Sequence, residues 1–290
     1  MVNGDPPLTL NDTRRTPLVP SPLLAVRTLC WREIVRFLRQ RNRVIGAVGQ
    51  PLLFWLLFGA GLQRSFSMSA AGAGGESFLS YYFPGTLMLV LLFTAIFTTI
   101  SIIEDRREGF LQAVLVAPVP RWSMVLGKVL GGTLIALLQG LLFLLLALTL
   151  NVHLTIATFA AVAALLFVSA LAMTSLGFVI AWRMESTQGF HAIMNLALMP
   201  MWLLSGAFFP IPALGGDATA GDFVMHWIMR LNPLTYCVAG VRQMLTGTTT
   251  PAGFFAPPLA TCWIVALAFA AVTFWGAQRI ALQRTTGDLL

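Results

Sequence analysis

Long apolar runs alternate with short charged, glycine-rich or proline-bearing breaks along the 290 residues. Six runs, near residues 44–62, 82–103, 129–150, 155–182, 190–209 and 258–278, approach the roughly 20 residues a helix needs to cross a hydrocarbon core. Ahead of them, residues 23–43 follow another pattern. Arg32, Arg36, Arg39 and Arg43 recur at i, i+4, i+7 and i+11, and Trp31, Ile34, Val35 and Leu38 fall on the opposite side. That predicts an amphipathic helix in the membrane interface, its basic side toward anionic head groups. Residues 1–22 are proline-rich, carry Arg14-Arg15 and lack the apolar core of a cleaved signal; they read as a mobile cytoplasmic tail.

The breaks differ in kind. Residues 104–128, EDRREGFLQAVLVAPVPRWSMVLGK, put five charged positions between the second and third runs, then an apolar stretch that meets Pro118-Val119-Pro120. Proline cannot continue a helix, so the segment predicts a short surface helix with a hard stop. Residues 63–80 are rich in Gly, Ala and Ser and predict a flexible loop; residues 151–154 allow only a tight turn. Residues 210–257 hold two apolar pieces, 223–231 and 234–245, each too short to span and separated by Asn232-Pro233. They predict a re-entrant or interfacial helical hairpin, with Asn232 as cap and Pro233 at the first helical position. Arg242 would pair with Asp217 or Asp222, contact a lipid phosphate, or snorkel.

Composition then fixes the class. Hydrophobic residues make up 57% and charged residues 10%, and the mean hydropathy is +0.81; no soluble domain of this size buries that balance. The reading is an all-α polytopic membrane protein with six transmembrane helices. The net charge of +7 is not a nucleic-acid footprint, because the basic residues gather beside the spans. With a cytoplasmic N-terminus, fifteen of the eighteen Lys and Arg fall inside and only Arg64, Arg230 and Arg242 outside. This bias predicts both termini, and the 104–128 segment, on the cytoplasmic side. Cys30, Cys237 and Cys262 show no metal or disulfide spacing, with a Cys237–Cys262 bridge left open.

Candidate chemistry is sparse. Phe93, Thr94, Phe97, Thr98 and Ser101 in the second span, and His191, Asn195, Met199 and Trp202 in the fifth, recur at helical spacing. They could line a path for an amphipathic cargo between two copies of the chain, or be packing and self-bonded hydroxyls. A phosphate-binding loop needs G-x-x-x-x-G-K-[S/T]; Gly127-Lys128 is followed by Val129 and has Trp122 at the first glycine position. A membrane-embedded transferase holding Mg²⁺ on Glu104, Asp105 and Glu108 would lack a second acidic cluster, and His153, His191 and His226 are scattered. A channel or secondary transporter would be expected to carry charges in mid-span or matching halves, and neither is seen.

The amphipathic N-terminal helix, the 104–128 segment, LLSGAFFPI at the end of the fifth span and LNPLTYCVAGVRQMLTG before the sixth resemble the permease subunits of type-2 ABC exporters. These are relatives of the daunorubicin-resistance, nodulation-factor and polysaccharide export permeases. The resemblance covers residues 23–278. It implies a connecting helix at 23–43, a coupling helix near 106–117 and an outer hairpin at 223–245, within a transmembrane domain over 44–290. It further implies a dimeric exporter subunit in a bacterial inner membrane, with ATP and Mg²⁺ held by a separate ATPase subunit and no cofactor on this chain. In that picture Glu104, Arg106, Arg107 and Glu108 contact the ATPase, Phe110 and Leu111 form a packing knob, and Pro118 ends the contact. The cargo class, a drug, a lipid or a lipid-linked saccharide, stays open.

Overall fold

The computed structural model describes residues 21–40, 45–46, 49, 52–58, 61, 78–150, 155–214, 219–247 and 254–283. Residues 1–20 of the expected tail, 63–77 of the expected loop, parts of the first expected span, Arg43, the 151–154 turn and Asp217 lie outside the described residues; residues 78–80 of that loop are helical. The described chain is helical, with one isolated β-bridge between Pro212 and Phe254.

Helix α1 covers Pro22–Arg39, with proline at its start. The second span is α2, Phe78–Thr98, continued after a break at Thr99 by α3, Ile100–Arg107. Thr98 and Thr99 donate their hydroxyls to the carbonyls of Ala95 and Ile96, both at 2.7 Å. Such back-bonding competes with the helix ladder and bends it where neither Pro nor Gly does. Gly109, at φ 77°, turns the chain into α4, Phe110–Val116, a conformation glycine adopts without penalty. The predicted stop follows at Pro118 and Pro120.

Helix α5, Arg121–Leu144, begins directly after Pro120 and runs into a 3-10 turn at Leu145–Leu150. The third span therefore starts eight residues before the apolar run does, and Lys128 lies inside a helix rather than closing a loop. Helix α6 spans Ile156–Arg183, and α7 spans Thr187–Trp202 under a Ser186 cap that accepts from Gly189 N at 3.0 Å. A π-type turn, Leu203–Ala207, ends α7 with Gly206 at φ 76°. Helices α8, Ala220–Leu231, and α9, Pro233–Thr246, correspond to the two short apolar pieces on either side of Asn232-Pro233, and α10 covers Leu259–Leu282.

Five described helices are long and apolar enough to cross a membrane, and they match the second to sixth expected spans. Helix α2 is apolar all round and sits at the centre, packed by α5, α6 and α9, with residues 87–92 fully buried. Helix α10 lies against α6 and leaves Ile264, Val272 and Trp275 exposed, the surface a lipid-facing span presents. The α7 turn is drawn onto α2 at one place. Gly85 meets Ala207 so closely that a Cβ there would stand 2.5 Å from the Ala207 Cβ.

Candidate functional site

The site grows from four consecutive charged residues at the end of α3, which point to different neighbours. Asp105 is fully buried and faces three cations. Arg32 reaches its two oxygens at 2.7 and 3.0 Å, Lys128 Nζ lies 2.5 Å from Oδ2, and Arg36 makes a further close contact. Lys128 also donates to Glu33 at 2.8 Å, and Glu33 is itself buried. Glu104 accepts from Arg36 at 2.9 Å, and the same guanidinium extends to Glu108 at 3.4 Å. Arg106 turns the other way, donating to the carbonyls of Trp182 at 2.6 Å and Met184 at 3.2 Å. Arg107 follows it to the Glu185 carbonyl at 3.0 Å.

Helix α1 enters this cluster because α5 lets it approach. Gly127 and Gly131 form a G-x-x-x-G pair against it; a Cβ on Gly131 would stand 2.7 Å from the Glu33 Cβ, and one on Gly127 2.9 Å from the Leu29 Cβ. Val26, Leu29, Glu33 and Phe37 face α5, and Trp31 and Leu38 stay exposed on the other side. This corrects the sequence reading of α1 as a basic anchor. Arg32 and Arg36 face inward to carboxylates, because an unpaired Asp105 or Glu33 could not be buried; Arg39 remains exposed. Ile34 packs inward beside Phe37 and Ile135.

Helix α4 covers the cluster from outside. The Arg32 guanidinium lies 3.7 Å from the Phe110 ring centre. Leu111 is 2% exposed and packs into the core. The expected knob of Phe110 and Leu111 is thus turned inward, and the surface it leaves is Arg107, Glu108, Ala113, Val116 and Pro118, with Val116 84% exposed. Arg121, at the far end of the elbow, donates to the Ala281 carbonyl at the end of α10 at 2.9 Å.

The two stripes touch only through the rings of Phe97 and His191 among the contacts described, and the hydroxyls of the first stripe face inward. Phe93, Thr94, Thr98, Ser101 and Trp202 are buried within the chain. Thr94 bonds Gln139, Thr98 its own backbone, and Trp202 Nε1 donates to the Gly85 carbonyl at 2.8 Å. These are the packing roles of intramembrane hydroxyls and indoles. Asn195 is exposed on α7 together with Gln188 and His191, and Met199 lies partly buried beside that face. Phe97 packs its ring 5.5 Å from the His191 ring. A polar stripe at i, i+3 and i+7 on a membrane-length helix belongs against protein or a wet cavity, not lipid.

At the hairpin, Asn232 accepts from Leu234 N at 3.0 Å and donates to the Met201 carbonyl at 2.5 Å, and Pro233 opens α9 as expected. Of the partners expected for Arg242, Asp217 lies outside the described residues and Asp222 is not the one it takes. It donates to the Gly206 carbonyl at 2.9 Å and lies 4.2 Å from the Tyr81 ring centre. The left-handed Gly206 frees that carbonyl from the helix ladder, and Asp222 is engaged at the start of its own helix by Thr219. Cys237 and Cys262 are buried free thiols. Among the described residues no three His, Cys, Asp or Glu gather as metal ligands.

A multi-pass helical membrane protein, with an interhelical elbow gripping its spans and a short exposed helix at the turn, is the class these features define. The chain belongs to the ABC-2 type transporter family, whose model matches residues 25–246. It is 25% identical over 224 residues to ycf38 of Cyanophora paradoxa, named for a transport permease, covering 74% of this chain and 71% of that one. It is 24% identical over 222 residues to nodulation protein J of Rhizobium meliloti (strain 1021), covering 76% and 78%. Nodulation protein J of Rhizobium leguminosarum bv. trifolii is 25% identical over 206 residues, covering 70% and 74%. The chain is accordingly a transport permease, and permeases of this family work with a separate ABC ATPase subunit.

Proposed function

We propose that this permease moves an amphipathic cargo outward across the cytoplasmic membrane of a bacterium. ATP is hydrolysed by a partner subunit that docks on the elbow between α3 and α5. Both termini and the elbow lie on the cytoplasmic side, the α8–α9 hairpin on the outer side, in keeping with the distribution of Lys and Arg. One observation carries the docking reading: α4 is a short helix bounded by Gly109 and Pro118 that presents Val116 at 84% exposure beside Arg107, Glu108 and Pro118, while its other face is fixed on the cluster of buried ions. A contact of that kind can be pushed as a unit. Glu104, Arg106, Phe110 and Leu111 then support the contact from beneath.

The chain works as a pair, either two copies or this chain with a similar one. The support is the α7 face of Gln188, His191 and Asn195, beside Phe97 and Met199, which the described residues leave exposed and which lipid would not solvate. Set opposite a second such face, it lines a path with polar and aromatic groups suited to an amphipath such as a drug, a lipid or a lipid-linked saccharide. Closure of the two ATPases on ATP moves the elbows and switches that path from inward to outward opening. Glu108→Lys tests the docking: in the assembled complex, stimulation of ATPase activity by transported amphipaths should fall, and unchanged stimulation would remove Glu108 from the contact.

A further inference from the structure

Two neighbouring residues of the elbow face opposite ways. Asp105 ties it to α1 and α5, and Arg106 ties it to the joint between α6 and α7. That joint is short. Helix α6 ends at Arg183, Met184 is extended, and Ser186 already caps α7. Its carbonyls at Trp182 and Met184 are held by one guanidinium, its carbonyl at Glu185 by Arg107, and α3 packs directly on both α6 and α7. The Arg106 guanidinium also sits 5.6 Å from the Trp182 ring centre, and that indole is buried and stacked on Phe178. The planar fork is therefore fixed at both of its ends.

We infer that Arg106 is a positioning residue that carries movement of the elbow into α7 and so reorients the face of Gln188, His191 and Asn195. This rests on the reading of the elbow as the ATPase contact, and it changes the part that Arg106 plays there. The residue does not meet the ATPase; it connects the push to the helix that meets the cargo. A plain helix C-cap would need only a positive charge near the last carbonyls. The bidentate grip on two carbonyls at the α6 end of the two-residue joint before Ser186, continued by Arg107 on Glu185, adds a fixed direction, which a flexible ammonium does not supply.

The test uses the full chain with its co-purified ATPase subunit, reconstituted in nanodiscs, with Gln188→Cys as a reporter and Cys30→Ser removing the half-buried native thiol. The rate of labelling by a water-soluble maleimide is measured without nucleotide and with ATP and vanadate. With Arg106 intact, trapping the nucleotide should change the labelling rate. Arg106→Gln, which keeps one donor and the fold, should reduce that change by roughly threefold or more, in the range of coupling carried by such contacts. Arg106→Lys, which keeps the cap charge, should reduce it as well, with both variants compared with the parent at equal occupancy by the ATPase subunit and below their melting midpoints. A full nucleotide response in either variant overturns the inference and leaves the docking reading standing. Absence of a response in the parent, with ATPase bound and hydrolysing, overturns the docking reading and the inference with it.

Discussion

Asp105 shows most clearly what a single residue does here. A carboxylate with no exposure, surrounded by Arg32, Arg36 and Lys128, is worth little as a net source of stability compared with an apolar substitute for the whole cluster. Taking away one member is different. Asp105→Ala would leave three cations with Glu33, Glu104 and Glu108 as their remaining carboxylates, and breaking a buried network in this way costs about 3–5 kcal/mol. The expected outcome is a clearly lowered melting midpoint in detergent, with Asp105→Asn intermediate. An unchanged midpoint would mean that water enters the cluster. None of this was legible in the sequence. Arg32 and Arg36 read as a lipid-facing stripe, because their partners lie 73 and 69 positions away, and Lys128 meets Glu33 across 95. The signal that was present is the G-x-x-x-G pair Gly127 and Gly131 beside Lys128, which marks a face that another helix can approach.

At the scale of elements, local rules worked where a break is made by neighbours in sequence. Pro118 and Pro120 ended α4, and Asn232-Pro233 divided the hairpin, as their chemistry required. The start of α5 is not marked by hydropathy, because the apolar window begins only at Val129, whereas the helix starts in the mixed stretch after Pro120. Gly85 gives a prediction for the joint between α2 and the turn after α7. Gly85→Ala places a methyl 2.5 Å from the Ala207 Cβ and 2.8 Å from its Cα, so the elements must separate at about 1–3 kcal/mol. A melting midpoint equal to the parent's would show that this contact yields freely.

Helix α8 supplies a pH dependence. Hydrogen bonds from the Thr219 hydroxyl and backbone N–H hold the Asp222 carboxyl below its ordinary value of 3.8. A carboxyl depressed in the folded state contributes fully above the unfolded value and loses that contribution as pH falls through the lower folded one. Amide protection in the first turn of α8 should therefore be level from neutral pH down to about 4 and weaken below it. Asp222→Ala should be weak at every pH, and a parent helix with level protection down to pH 2 would contradict the capping-box account.

For the whole molecule, the five described spans were legible because an apolar run of membrane length has few other fates. The arrangement of the polar stripes was not. Spacing placed Thr94 and Thr98 on one face, but only the packing of α5 and α6 around α2 shows that this face is internal, and that α7 alone of the two carries its polar groups to the surface. The elbow unites these levels, since its charged residues hold α1, α5, α6, the start of α7 and, through Arg121, the end of α10. The most direct measurement of the central claim is to extract the chain from its native membrane in mild detergent and identify what accompanies it. The account predicts a stoichiometric partner with a nucleotide-binding loop that is lost when Val116 on the elbow is replaced by Asp. A well-folded preparation that carries no such partner, or keeps it unchanged with Val116→Asp, would contradict the elbow as the docking site.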